Sequence, residues 1–124
     1  MKRRILLDEN VPHDLRHHIG QHETMTVAYA GFAGYKNGQL LDAAEAAGFD
    51  VLVTGDRTLH YELNLSGRAV ALVSLTAISW PVIEPHVAKI IDAINNAKPG
   101  SFTRVDVGRF RRPSRTPKGI DLRG

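Results

Sequence analysis

The chain reads as a three-layer α/β domain, a mainly parallel five-stranded sheet flanked by helices, and two observations predict it. Continuous apolar runs bounded by turn residues recur at "RILL", "DVLV" and "AVALVSL", which suits strands covered on both faces. Helical patterns lie between these runs, so strand and helix alternate along the chain. With 124 residues the chain can bury one core and not two. The expected organisation is one domain over residues 1–108 and a basic, mobile tail over 109–124.

Taken in order, "RILL" (4–7) is the first strand. Pro12 suits the first turn of a helix reaching about Ile19, with Leu15 and Ile19 inward and Gly20 closing it. His22 to Ala30, rich in β-formers, reads as the second strand. A helix over Gly38 to Ala47 places Leu40, Leu41, Ala44 and Ala47 on one face, with Asn37 as N-cap and Gly48 as terminator. "DVLV" and Ala69 to Leu75 are the third and fourth strands. Another helix starts near Pro81 and carries Ile83, Val87, Ile90, Ile91 and Ile94 inward until Lys98, Pro99 and Gly100 break it. "SFTRVDV" (101–107) alternates like a last, half-covered strand.

Composition narrows the function. There is no cysteine, which excludes a disulfide framework and a thiolate zinc site. The apolar run after "MKRR" is too short for a signal peptide or a membrane span, so a cytoplasmic protein with no membrane partner is expected. The net charge of +3 is unevenly spread: six basic residues and one acid follow from Arg109 onward, against ten basic and twelve acidic residues before it. A phosphate backbone would attract such a tail, and a solubilising role is the alternative.

Two strands end in acid, at "LLDEN" and "VTGD". Right-handed crossovers bring every strand's carboxyl end to one edge, where ligands bind, so Asp8 and Asp56 are expected together. Two carboxylates at 4 Å repel by up to roughly 4 kcal/mol at an effective dielectric of 20. A divalent cation such as Mg²⁺ or Mn²⁺ would compensate. The structural alternative makes Asp8 the cap of the Pro12 helix and Asp56 the cap of the segment after Thr58. Glu9 points away from Asp8 unless the backbone turns there, and is a candidate second ligand or orienting group.

Around these acids, Lys36 and Arg57 are candidate phosphate contacts, His60 a proton carrier or phosphate contact, and Gln39 a substrate contact at a helix start. Phe32 and Tyr35 could stack a base or pack beneath their glycine-rich loop. His13 and His17, like Asp42 and Glu45, read as solvated helix faces. Trp80 and Tyr61 are candidates for a homodimer or partner interface, or for core packing.

The segments "LLDENVPHDL" and "AGFAGYKNGQLLDAAEAAGFDVLVTGDRTLHYELNL" resemble the small PIN-like domain family, with its acid-ended first strand and "TxD" strand end, over roughly residues 4–107. The resemblance implies a Mg²⁺- or Mn²⁺-dependent ribonuclease acting on RNA, in many relatives the toxin of a toxin-antitoxin pair and therefore partnered by an antitoxin. It carries the metal-binding role to Asp8 and Asp56. Where many relatives have further acids, this chain has Asn37, which can lend a carbonyl oxygen, and Thr58. Two other classes fit the pattern: a PIN-like binding module without turnover, and a phosphoacceptor receiver, for which Lys98 falls at the wrong end of the sheet.

Overall fold

In the computed structural model, which describes residues 2–56 and 64–108, five short strands make one sheet: β1 Arg4–Leu7, β2 Glu23–Thr26, β3 Val51–Thr54, β4 Ala71–Leu75 and β5 Phe102–Val105. Their order is β2-β1-β3-β4-β5, and every neighbouring pair is parallel. The register sets Leu7 beside both Thr26 and Val53, so β1, β2 and β3 finish nearly flush.

Side chains alternate across a strand, and that explains the unbroken apolar runs. From β1, β3 and β4, Ile5, Leu7, Val51, Val53, Ala71, Val73 and Leu75 point into one core with Leu15, Ile83, Ile90 and Ile94. Leu6, Leu52 and Leu72 point the other way, into a second core with Leu40, Leu41, Ala44 and Phe49. Each fully buried side chain of this size contributes roughly 1.5–3 kcal/mol, and both layers need every second residue of the same strands.

Among the described residues three α-helices flank the sheet: α1 Asn37–Ala46, α2 Trp80–Ile83 and α3 Val87–Asn96. Gly48 ends α1 as expected, at φ 81°. Its N–H donates to Glu45 O, and Phe49 N–H donates to Ala44 O, closing the helix's free carbonyls. Lys36 occupies the N-cap position and Asn37 is the first helical residue, so the helix starts one residue earlier than expected.

Four further expectations need correction. The segment after Pro12 is a 3-10 helix, His13–His18; it still buries Leu15 and Ile19, but its tighter pitch takes the exposed His13 and His17 off a common line. The helix from Pro81 is interrupted by a 3-10 turn at Glu84–His86, because Pro85 has no N–H to donate. The second strand stops at Thr26: Tyr29 N–H bonds Thr26 Oγ1 and Ala30 N–H bonds Thr26 O, and the chain turns away. Asp42 and Glu45 do not simply face solvent. Arg68 Nη1 reaches them at 2.6 and 2.7 Å, and Ala69 N–H donates to Glu45 Oε2, tying the lead-in of β4 to α1.

Trp80 is partly buried against the first core, with its ring centroid 4.8 Å from that of His18. Among the described residues no helix is long and apolar enough to cross a membrane. Arg57, Thr58, His60, Tyr61 and the tail 109–124 lie outside the described residues.

Candidate functional site

The strand order reverses between β1 and β3: the chain goes outward from β1 to β2, then returns past β1 to β3. Crevices at the carboxyl ends of parallel strands form at such a switch point. One lies here, a cleft of about 350 Å³ lined by Asp8, Glu9, Asn10, Tyr35, Lys36, Leu40 and Asp56. It holds Asp8 and Asp56 together, as their strand-end positions predict.

The backbone does turn directly after β1. Val11 N–H donates to Asp8 O at 3.0 Å, and this turn lets consecutive residues Asp8, Glu9 and Asn10 all reach the cleft. The helix at His13–His18 has no side-chain cap, so Asp8 is not its cap. Instead Asp8 Oδ1 accepts Glu9 N–H at 2.8 Å, and Asp8 Oδ2 accepts the Thr54 hydroxyl at 2.7 Å.

Thr54 is the pivot of the site. Its Oγ1 also accepts Asp56 N–H at 3.0 Å, so its one proton is left for Asp8. A fully buried hydroxyl thereby sets the positions of two carboxyl-bearing residues 48 apart in sequence. Asn10 adds a second cross-link, its Oδ1 accepting Gly55 N–H at 2.9 Å. Gly55 has no room for a side chain, since a β-carbon there would run into Ile78 Cγ2.

The far wall is the loop before α1. Gly34 N–H donates to Glu9 Oε1 at 3.3 Å, so Glu9 anchors this loop while lining the cleft. Phe32 and Tyr35 stack at a centroid distance of 5.5 Å and pack against the second core. Tyr35 therefore serves both as a wall and as packing, whereas Phe32 does not line the cleft. Lys36 is exposed at the rim and Gln39 is exposed on α1 without lining it. Asn37 opens α1 beside the rim.

The donor chemistry fits a hard cation. Carboxylate and amide oxygens are the ligands Mg²⁺ and Mn²⁺ take, and each Asp8 oxygen keeps a lone pair beyond its one hydrogen bond. Among the described residues no group of three or more His, Cys, Asp or Glu side chains is arranged to hold a metal ion. The fit is thus to an ion held by one or two carboxylates, with water and phosphate completing its shell.

Thr54, Asn10 and Gly55 escaped the reading of the sequence. Their signal was present as a polar residue closing an apolar strand, as the third letter of "DEN", and as a glycine between two anchored neighbours. No protein-family model, curated protein or solved structure matches this chain.

Proposed function

We propose that this chain is a PIN-like, metal-dependent ribonuclease acting in the cytoplasm, the toxin component of a toxin-antitoxin pair restrained by a cognate antitoxin. The observation that carries the nuclease reading is the common cleft of Asp8 and Asp56, joined through the Thr54 hydroxyl. The family resemblance supplies RNA as the substrate.

Asp8 and Asp56 would hold the cation, with Asn10, which lines the same cleft, able to lend an amide oxygen. A bound Mg²⁺ or Mn²⁺ supplies an acidified water and a counter-charge for phosphate oxygens. The chain's own residues do the rest. Glu9 N–H and Thr54 fix the Asp8 carboxylate in one orientation, which removes the entropy of placing it during each turnover. Lys36, which lines the cleft with three acids, draws the phosphate backbone toward it. Glu9 keeps the Tyr35 wall in place through Gly34. Arg57, directly after Asp56, and His60, four residues after it, are the next candidates for backbone contact.

The test is cleavage of a mixed pool of cellular RNA by wild type and Asp8→Ala, with Mn²⁺ or with chelator. Cuts that require both the metal and Asp8 support the nuclease; no cuts in any arm would move the reading to an RNA- or protein-binding module.

One observation favours a second class. Strand order β2-β1-β3-β4-β5 is also that of phosphoacceptor receivers, which carry acids at the same two strand ends. Against it, Lys98 precedes β5 and lies at the opposite edge of the sheet. A stable aspartyl adduct at Asp56 after incubation with a small phosphodonor, read by intact mass, would reverse this preference.

A further inference from the structure

Away from the acid cleft, at the edge where β1 and β2 begin, a second pocket of about 370 Å³ is lined by Lys2, Arg3, Gln21 and Asn95. Two are cations, two are amides, and none is an acid. A four-residue strand spans roughly 13 Å, so this pocket is separated from the cleft by the length of β1.

Arg3 is held in place and yet is electrically uncompensated. Its N–H donates to His22 Nδ1 at 2.9 Å, and its Nη1 donates to Ala97 O at 2.6 Å. No carboxylate pairs with it among the described residues. Its Nε is the one buried side-chain polar atom without a partner there. The acids nearby in sequence or in the fold are engaged elsewhere: Glu23 with the Arg4 side chain at 3.3 Å, Asp50 with Arg4 N–H at 2.8 Å, and Asp92 with Asn96. A partly buried guanidinium lacking a counter-ion is unfavourable, and an anion would relieve it.

His22 orients the remaining donor. It is 4% exposed, and because Nδ1 accepts from Arg3 N–H, the ring proton belongs on Nε2. That proton goes to Asn95 Oδ1 at 2.8 Å, which leaves the Asn95 amide N–H₂ as the unused end of a pocket-lining side chain. The network therefore turns Asn95 from a mixed donor and acceptor into a donor.

The geometry points to an oxyanion site of the phosphate class at this edge, formed by Lys2, Arg3, Gln21 and Asn95. A guanidinium offers paired N–H groups matched to phosphate oxygens, and an ammonium adds a point charge. Neither the site nor its test depends on the nuclease reading.

The experiment uses the full chain with chelator present and inorganic phosphate titrated at constant ionic strength, following the His22 ring and Arg3 Nε signals by NMR. The expected result is a saturable shift with a midpoint in the low millimolar range, roughly −4 kcal/mol of binding. Asn95→Asp keeps an oxygen for His22 but places a negative charge on the lining, and should raise the midpoint at least tenfold. Lys2→Ala, a surface change that leaves the Arg3–His22–Asn95 chain intact, should raise it about threefold and serves if the first variant does not fold. A parallel arm with adenosine 5′-monophosphate, against adenosine, separates a nucleotide phosphate from free phosphate: binding tighter than inorganic phosphate assigns the former, equal binding the latter. A shift that never saturates, that chloride reproduces, or that keeps its midpoint in both variants would overturn the site.

Discussion

The two ends of β1 carry opposite charge, "KRR" before it and "DEN" after it, and they are organised on different principles. Arg4, at the entry, is satisfied by its neighbours: Glu23 at 3.3 Å, the Phe49 ring at 4.5 Å from its guanidinium carbon, and the Ala47 carbonyl. Asp8, at the exit, has no basic partner among the described residues; its contacts are a backbone N–H and a hydroxyl, and it shares a cleft with two more carboxylates. A paired charge at a strand end stitches the sheet together. Like charges gathered on one cleft repel one another, and a bound cation would offset that repulsion.

Breaking the acid end at its centre should have the largest effect. Asp8→Ala is expected to lower metal-dependent RNA cleavage by roughly 10²–10³-fold while leaving the far-ultraviolet circular dichroism unchanged. Loss of the folded spectrum along with activity would instead make Asp8 a structural residue.

Thr54→Val is nearly isosteric, yet it removes the donor to Asp8 and strands Asp56 N–H. Unfolding in urea should show a loss of about 1–3 kcal/mol, and Mn²⁺ affinity measured by calorimetry should fall roughly 10–100-fold. Thr54→Ser, which keeps the hydroxyl, should restore most of both. Equal loss in the two variants would mean that packing, and not the hydroxyl, is what matters at this position.

Gly55→Ala tests how tightly the turn is held. The new methyl meets Ile78, a side chain 52% exposed, and overpacking of this kind costs about 1–3 kcal/mol. Adding Ile78→Ala should recover it, and the thermal midpoints of the two single variants and the double variant give the coupling directly.

The smallest effect belongs to the paired kind of charge, at the Arg68 cluster. The Ala69 N–H, and after it the Arg68 guanidinium, hold the Glu45 carboxyl below its usual value. A depressed folded-state value means stability that is fully present above the unfolded value, about 4.3, and is lost as pH falls through and below it. Glu45→Gln should flatten the acid limb of the stability curve, with a loss at pH 7 of about 1 kcal/mol or less, given partial exposure and screening.

How much of this was legible depended on the range of the interaction. Apolar runs at Ile5–Leu7 and Val51–Val53, and the glycine that ends α1, announced themselves because burial and helix termination act through local pattern. The meeting of Asp8 with Asp56 followed from topology alone, since parallel strands share an edge. The Thr54 and Asn10 links were not visible, as each joins residues more than forty apart and no local period encodes such a bond. The interruption at Glu84–His86 was open to view in Pro85 and outweighed by the spacing of the isoleucines on either side. The early end of β2 was masked by β-formers past Thr26, where a side-chain hydroxyl competes with the sheet for the backbone.

The position of β1 between β2 and β3 has a kinetic consequence. The first strand of the sheet cannot be seated until two later segments are available to flank it, so its pairing requires contacts distant in sequence, which slow folding. Once seated it has no open edge. The amides of Ile5 to Leu7 are accordingly expected to exchange with deuterium only on global unfolding, while those of β2 and β5, the end strands of the sheet among the described residues, open in smaller fluctuations.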